Sequence, residues 1–144
     1  MSVELVDTTS PQLAEAFARL IPQLSRSAQP LNQEEIADFL AQDAIDLLVF
    51  FGPEREILGM LTLVTFDIPT GTRSWVEDVV VDAAARGQGA GGKLVAAAVA
   101  RARERGAKTV DLTSRPEREA ANRLYRRSGF VQRETNVYRH NLDV

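Results

Sequence analysis

Between residues 77 and 93 the chain reads EDVVVDAAARGQGAGGK. Two adjacent carboxylates, Glu77 and Asp78, precede a run of valines, then Arg86 and a burst of glycines at 87, 89, 91 and 92. A carboxylate beside a reacting group can take or relay a proton. A glycine-rich turn that opens a helix can hold a phosphate. The first N–H groups of a helix lack intrahelical partners, and glycine lets the chain come close to an anion.

Three phosphate patterns overlap on this loop. Gly87, Gly89 and Gly92 spell G-x-G-x-x-G, with Asp111 about twenty residues further on, as in a dinucleotide fingerprint. Against it, DAAAR separates the valines from the first glycine, and Asp111 is followed by Leu112 inside its own strand. Only about fifty residues remain after Gly92, too few for a doubly wound sheet. Gly87 to Lys93 also spell G-x-x-x-x-G-K, but Leu94 stands where a hydroxyl should hold magnesium, so nucleotide hydrolysis has no support. The third pattern, R-x-x-G-x-G from Arg86, Gly89 and Gly91, is an anion site to which Arg86 adds a charge-assisted contact.

Other chemistries are narrowed by composition. The 144-residue chain has no cysteine, which removes disulfides, thiolate metal sites and a cysteine nucleophile. Its single histidine, His140, lies near the end and makes neither a serine–histidine triad nor a histidine zinc site, so no metal is expected. A net charge of −3 argues against general nucleic-acid binding. The charge is split, however. Residues 1–74 carry eleven acids and four bases, and residues 75–144 nine acids and thirteen bases. An anionic ligand on the second half and a cationic partner on the first would suit that split. Residues 1–10 have neither a basic region nor an apolar core of a signal peptide, and no apolar run approaches a membrane span of about 20 residues. A cytoplasmic protein with no membrane partner is expected.

The elements that must position this loop follow from periodicity. SVELVD alternates as a first strand. Ser10 and Pro11 start a helix with Leu13, Phe17, Leu20, Ile21 and Leu24 on one face, and Pro22 should kink or end it near Ile21. Asn32 and Glu35 have capping-box spacing before a second helix that presents Ile36, Phe39 and Leu40. IDLLVFF and EILGMLTLVTF read as a strand hairpin, DIPTGTR as a loop and SWVEDVVV as the strand before the glycines. A helix from about Gly89 to Arg105 ends at Gly106, with Leu94, Val95, Ala98, Val99 and Ala102 on one face. KTVDLTS is a strand, PEREAANRLYRRS a helix capped by Gly129, and FVQRETNVYRH a final strand. With no repeat or linker, residues 1–144 read as one mixed α/β domain, antiparallel early and βαβ late.

The loop pattern and a second motif, AANRLYRRSGF, together resemble the GNAT superfamily of acyl-CoA-dependent N-acyltransferases. In that family a strand ending in V-x-acid leads into R-x-x-G-x-G, and a later helix carries Asn, Leu-Tyr and a terminal Gly-Phe. The order of elements agrees over nearly the whole chain, and ETNVYR is similar to the ending of small bacterial members.

The resemblance implies a mixed, mostly antiparallel central sheet flanked by about four helices. It implies acetyl-CoA as cosubstrate, an amine as acceptor and no metal. The pyrophosphate would lie on Arg86, Gly87, Gln88, Gly89, Ala90, Gly91 and Gly92. Val79, Val80 and Val81 would pair their backbone with the pantetheine arm, a Val80 N–H would polarise the thioester carbonyl, and Asn122 would bond the arm. Tyr125 would donate to the departing thiolate. Glu77 would act as the base or orient a base water, with Asp78 or water alone as the alternatives. Trp75 and Phe66 could wall the acceptor pocket or simply pack the core. Asp38, Asp43, Asp46 and Asp67 make a cationic acceptor reasonable. A homodimer is allowed. A coenzyme A-binding sensor or interaction module of the same fold, without turnover, is the alternative.

Overall fold

The computed structural model describes residues 1–143. Its elements run β1 (Ser2–Val6), α1 (Pro11–Leu24), α2 (Gln33–Leu40), β2 (Ile45–Phe51), β3 (Ile57–Ile68), β4 (Gly71–Val81), α3 (Ala90–Glu104), β5 (Thr109–Asp111) and α4 (Glu119–Arg127). A 3₁₀ turn at Ala83–Ala85 lies between β4 and α3. The sheet has the order β1-β2-β3-β4-β5. The first four strands are antiparallel, and β5 joins β4 in parallel. This is a mixed α/β architecture with helices on both faces.

Strand β2 is apolar at nearly every position because both its faces are covered. Leu47, Val49 and Phe51 pack with Leu13, Phe17, Leu20 and Ile36 of α1 and α2. Leu48 and Phe50 face the other way, with Leu94, Val95 and Ala98 of α3. Leu94 and Val95 are fully buried, and each such side chain contributes about 1.5–3 kcal/mol. The α3 spine, including Ala90 and Ala102, therefore fixes where the glycine loop must enter.

The capping box forms as its spacing predicts. Asn32 accepts from the Glu35 N–H at 2.8 Å, and Glu35 accepts from the Asn32 N–H at 3.0 Å.

Five expectations are corrected. Helix α1 runs through Pro22 to Leu24. Pro22 is exposed in the last turn, where a missing N–H leaves a carbonyl that water can satisfy. DIPTGTR is not an open loop, because β3 and β4 continue to Ile68 and Gly71 and turn tightly there. Helix α4 starts at Glu119 rather than Pro116, and β5 is confined to Thr109–Asp111. Among the described residues, no strand follows α4. The exposed apolar side chains of that segment fall on both parities, Val131 and Val137 against Tyr138 and Leu142, so a strand here would have no single face to bury.

Candidate active site

The site is built where β4 parts from its neighbours. Strand β4 pairs with β3 as far as Val81, opposite Gly59. On its other edge it pairs with β5 only at Arg73, Ser74 and Trp75. Beyond Trp75 the β4 backbone has no ladder partner on that side among the described residues, because β5 ends at Asp111 opposite Trp75, and a pocket lies between β4 and the segment that follows, Leu112 and Thr113.

A bulge sits in this free stretch. Thr62 pairs with Glu77 and Met60 with Val80, so Leu61 alone opposes both Asp78 and Val79. Asp78 takes up the extra length with φ of 49°, the left-handed region that aspartate enters more readily than most residues. The bulge also exchanges the faces of the strand. Val76 packs toward α3, whereas Val80, an even number of residues on, packs toward α1. Val79 and Val81 are then turned toward the α3 side.

This geometry bears on the two adjacent carboxylates. A regular strand would send Glu77 and Asp78 to opposite faces. With the bulge between them, both line one pocket of about 180 Å³, together with Leu24, Val76, Val79, Leu112, Thr113, Arg118 and Tyr125.

From the pocket, β4 runs on to the glycine loop. Asp82 closes β4 and caps the 3₁₀ turn by accepting from the Ala84 N–H at 3.0 Å. Arg86, Gly87, Gln88 and Gly89 follow, all exposed. Gly87 and Gly89 have φ of 86° and 76°, and a Cβ on either would meet nothing within 4 Å. Gly89 is the N-cap of α3 and supplies no side-chain acceptor. The first N–H groups of α3, on Ala90, Gly91 and Gly92, are thus left without a side-chain cap. Gly91 has a different task. A Cβ there would come within 3.0 Å of Leu124 Cδ2, so this glycine lets α4 approach α3.

Tyr125 is brought to the pocket by that approach. It is buried, and its ring meets Phe130 edge-on at 6.0 Å. Burial pushes its hydroxyl pKa above the ordinary value near 10, and the charge of Arg118 pulls it only partly back. The phenol is therefore protonated at neutral pH and able to donate.

The sequence profile of the acetyltransferase (GNAT) family matches residues 13–130. The chain belongs to the acetyltransferase (GNAT) family. Among solved structures it is similar to a transcriptional regulator from Bacillus halodurans C-125, at 29% identity and a TM-score of 0.75, over 96% of this chain and 99% of that one. It is also similar to an acetyltransferase of Trypanosoma brucei, at 25% identity and a TM-score of 0.76, over 98% of this chain and 100% of that one. An aminoglycoside acetyltransferase from an uncultured soil metagenomic sample shares the fold at 20% identity and a TM-score of 0.82, over 98% of this chain and 95% of that one. A search of curated proteins found no match.

Within this GNAT fold, other residues singled out in the sequence take up other positions. Asn122 donates to the Arg115 carbonyl at 3.0 Å, which ties the turn before α4 to the helix. Asn122 and Trp75 line a wider groove of about 1110 Å³ beside β5, bordered by α4 and residues 131–137. Phe66 pairs across the hairpin with Arg73 and lies outside the pocket. Asp46 is not available to an acceptor. It is 4% exposed and held by Arg101 and Arg105 at 3.1 and 2.5 Å. Asp67 accepts from Thr72 Oγ1 at 2.5 Å, while Asp38 and Asp43 are exposed. Arg118, Leu24 and Thr113 were missed by sequence reasoning. Nothing in their local pattern marks them, because the chain reversals after β5 and α1 bring them to the pocket.

Proposed function

We propose that the protein moves an acetyl group from acetyl-CoA to a primary amine of an acceptor by direct attack in a ternary complex. The observation that carries this reading is the free edge of β4 beyond Trp75. That edge carries the bulge at Asp78, and the loop after the strand leads into an uncapped helix N-terminus. A pantetheine arm can add to such an edge as a strand would. Its pyrophosphate suits the free N–H groups of Ala90, Gly91 and Gly92, with Arg86 alongside and open space over Gly87 and Gly89.

The thioester supplies an activated acyl carbon. The amine nitrogen bonds to that carbon, the carbon–sulfur bond breaks, and its electron pair goes to sulfur. The attacking amine must first be neutral, since an aliphatic ammonium has a pKa near 10.4. Glu77, with Asp78 beside it, takes or relays that proton. A backbone N–H on the free edge of β4 steadies the charge that develops on the carbonyl oxygen; that of Val80, expected for this, faces β3 instead, since Val80 pairs with Met60 and the Asp82 N–H, two residues on, donates to Leu58. Tyr125, a protonated phenol in the same pocket, donates to the sulfur as it leaves. Exposed Asp38 and Asp43 favour a cationic acceptor.

The test is thiol release from acetyl-CoA in the presence of a panel of amines, run beside calorimetry with acetyl-CoA alone. Amine-dependent thiol release is expected. The likeness to a transcriptional regulator supports a second reading, a coenzyme A-binding sensor without turnover. Tight acetyl-CoA binding with no thiol release across the panel would select the sensor. Absence of binding would remove both.

A further inference from the structure

The root of the glycine loop is gripped from the opposite face of the sheet by α1. Arg19 donates from Nη1 to Asp82 Oδ2 at 2.6 Å and from Nη2 to the Ile57 carbonyl at 3.0 Å. Its Nε donates to Glu15 at 3.1 Å and its Nη2 to the other Glu15 oxygen at 3.2 Å, which holds the guanidinium in one orientation. One turn on, Gln23 accepts from the Ala83 N–H at 3.0 Å. Asp82 is mostly covered, with a side chain 14% exposed, and its own N–H donates to the Leu58 carbonyl at 2.7 Å. Both the side chain that starts the loop and the next backbone N–H are thus fixed by α1. The following residue of α1, Leu24, lines the pocket that holds Glu77, Asp78 and Tyr125.

We infer that Arg19 and Gln23 are positioning residues for the cofactor loop, holding Asp82 and Ala83 so that the segment to Gly92 is ordered before the anion arrives. The inference rests on the proposed reading of that loop as the pyrophosphate site. A loop that must be ordered on binding loses affinity by the cost of ordering it. The exposed run from Arg86 to Gly89 packs against little, so its path is set at its two ends: Asp82 and Ala83 at one, the buried Ala90 at the other.

Positioning and plain electrostatics predict opposite signs at Asp82. Its carboxylate lies near a site for an anion. If charge alone mattered, Asp82→Asn would bind acetyl-CoA more tightly. The asparagine oxygen can still cap the turn at Ala84, but its amide turns a donor toward Arg19 and the grip is lost. Positioning therefore requires Asp82→Asn to bind more weakly.

The experiment measures acetyl-CoA affinity by calorimetry and steady-state kinetics for the unaltered protein, Asp82→Asn, Arg19→Met and Arg19→Lys. Affinity is expected to fall at least fivefold in Asp82→Asn and in Arg19→Met. The Michaelis constant for acetyl-CoA should rise in step, with kcat within about twofold, because the pocket groups are untouched. Arg19→Lys, which keeps a cation opposite Asp82, should recover part of the loss. Equal or tighter binding by Asp82→Asn overturns the inference. So does a fall in kcat with an unchanged Michaelis constant. Failure of the unaltered protein to bind acetyl-CoA would instead remove the reading of the loop itself, a distinct result.

Discussion

Tyr125 is the residue whose role the geometry sharpens most. Its phenol is buried beside Arg118, and burial keeps it protonated. Tyr125→Phe preserves the ring and its contact with Phe130 and removes only the donor. Turnover should fall by about ten- to a thousandfold, within or just below the usual reach of acid–base catalysis, with acetyl-CoA affinity kept. Unchanged turnover would leave Tyr125 as packing. The paired carboxylates need a different probe, because both line the pocket. If Glu77 relays the amine proton, Glu77→Gln should lose far more turnover at about pH 7 than at about pH 9, where more of an amine of pKa near 10.4 is already neutral. If the bulge gives that task to Asp78, Asp78→Asn should show the pH-dependent loss in its place. Equal losses at both pH values, or none, in both variants would mean that the proton leaves through water. The sequence could place Tyr125 at the site because its helix carries a recognisable pattern. It could not show that two neighbours on a strand share one pocket, because that depends on one residue at φ of 49°.

At the scale of elements, the helix that presents the loop is anchored at its far end by a buried ion pair. Arg101 in the last turn of α3 and Arg105 at its C-cap both reach Asp46 at the start of β2. Burial alone would raise the Asp46 pKa, but hydrogen bonds from Arg105 and Arg101 outweigh it and hold the carboxyl below its ordinary 3.8. A depressed carboxyl pKa contributes stability that is full above the ordinary value and is lost as pH falls through the lower folded value. Asp46→Asn should therefore cost about 2 kcal/mol near neutral pH, less than a fully buried pair because the arginines are partly exposed. That corresponds to a Tm lower by roughly 4–8 °C for a chain of this size. In thermal melts the gap between variant and parent should begin to close below about pH 4 and vanish only once the pH is under the depressed folded value. A residual acid slope is expected in the variant from Asp82, held low by the Ala84 N–H and by Arg19. A constant gap between the two proteins down to the lowest pH would show that Asp46 acts by shape. In the sequence Asp46 reads as one of several surface acids. Only the packing of α3 on β2 turns it into an anchor. The helices and inner strands were legible because their apolar spacing repeats, whereas β5 was overextended because a three-residue strand has too little pattern to bound it.

For the whole molecule, the charge split visible in the sequence becomes a division between the faces of the sheet. Helices α1 and α2 carry Glu15, Glu34, Glu35 and Asp38 against Arg19 alone, whereas α3 and α4 carry Lys93, Arg101, Arg103, Arg123, Arg126 and Arg127 against Glu104 and Glu119. The glycine loop opens α3 and so belongs to the basic side. A field of that sign concentrates an anion before contact and raises its association rate by about tenfold or more, an effect that salt removes. Raising ionic strength from about 0.01 M to about 1 M shortens the Debye length from about 30 Å to about 3 Å. The association rate of acetyl-CoA, followed by stopped-flow, should then fall by about tenfold. Pantetheine, which keeps the arm and lacks the phosphates, gives the control. Its association should be nearly indifferent to salt, because neither the free edge of β4 nor the pocket at Tyr125 needs a charge to admit it. A salt-independent rate for acetyl-CoA would mean that the basic side is ordinary solvated surface and that the loop captures its anion only at contact. An equal loss for both molecules would place the salt effect in the protein and not in the phosphates.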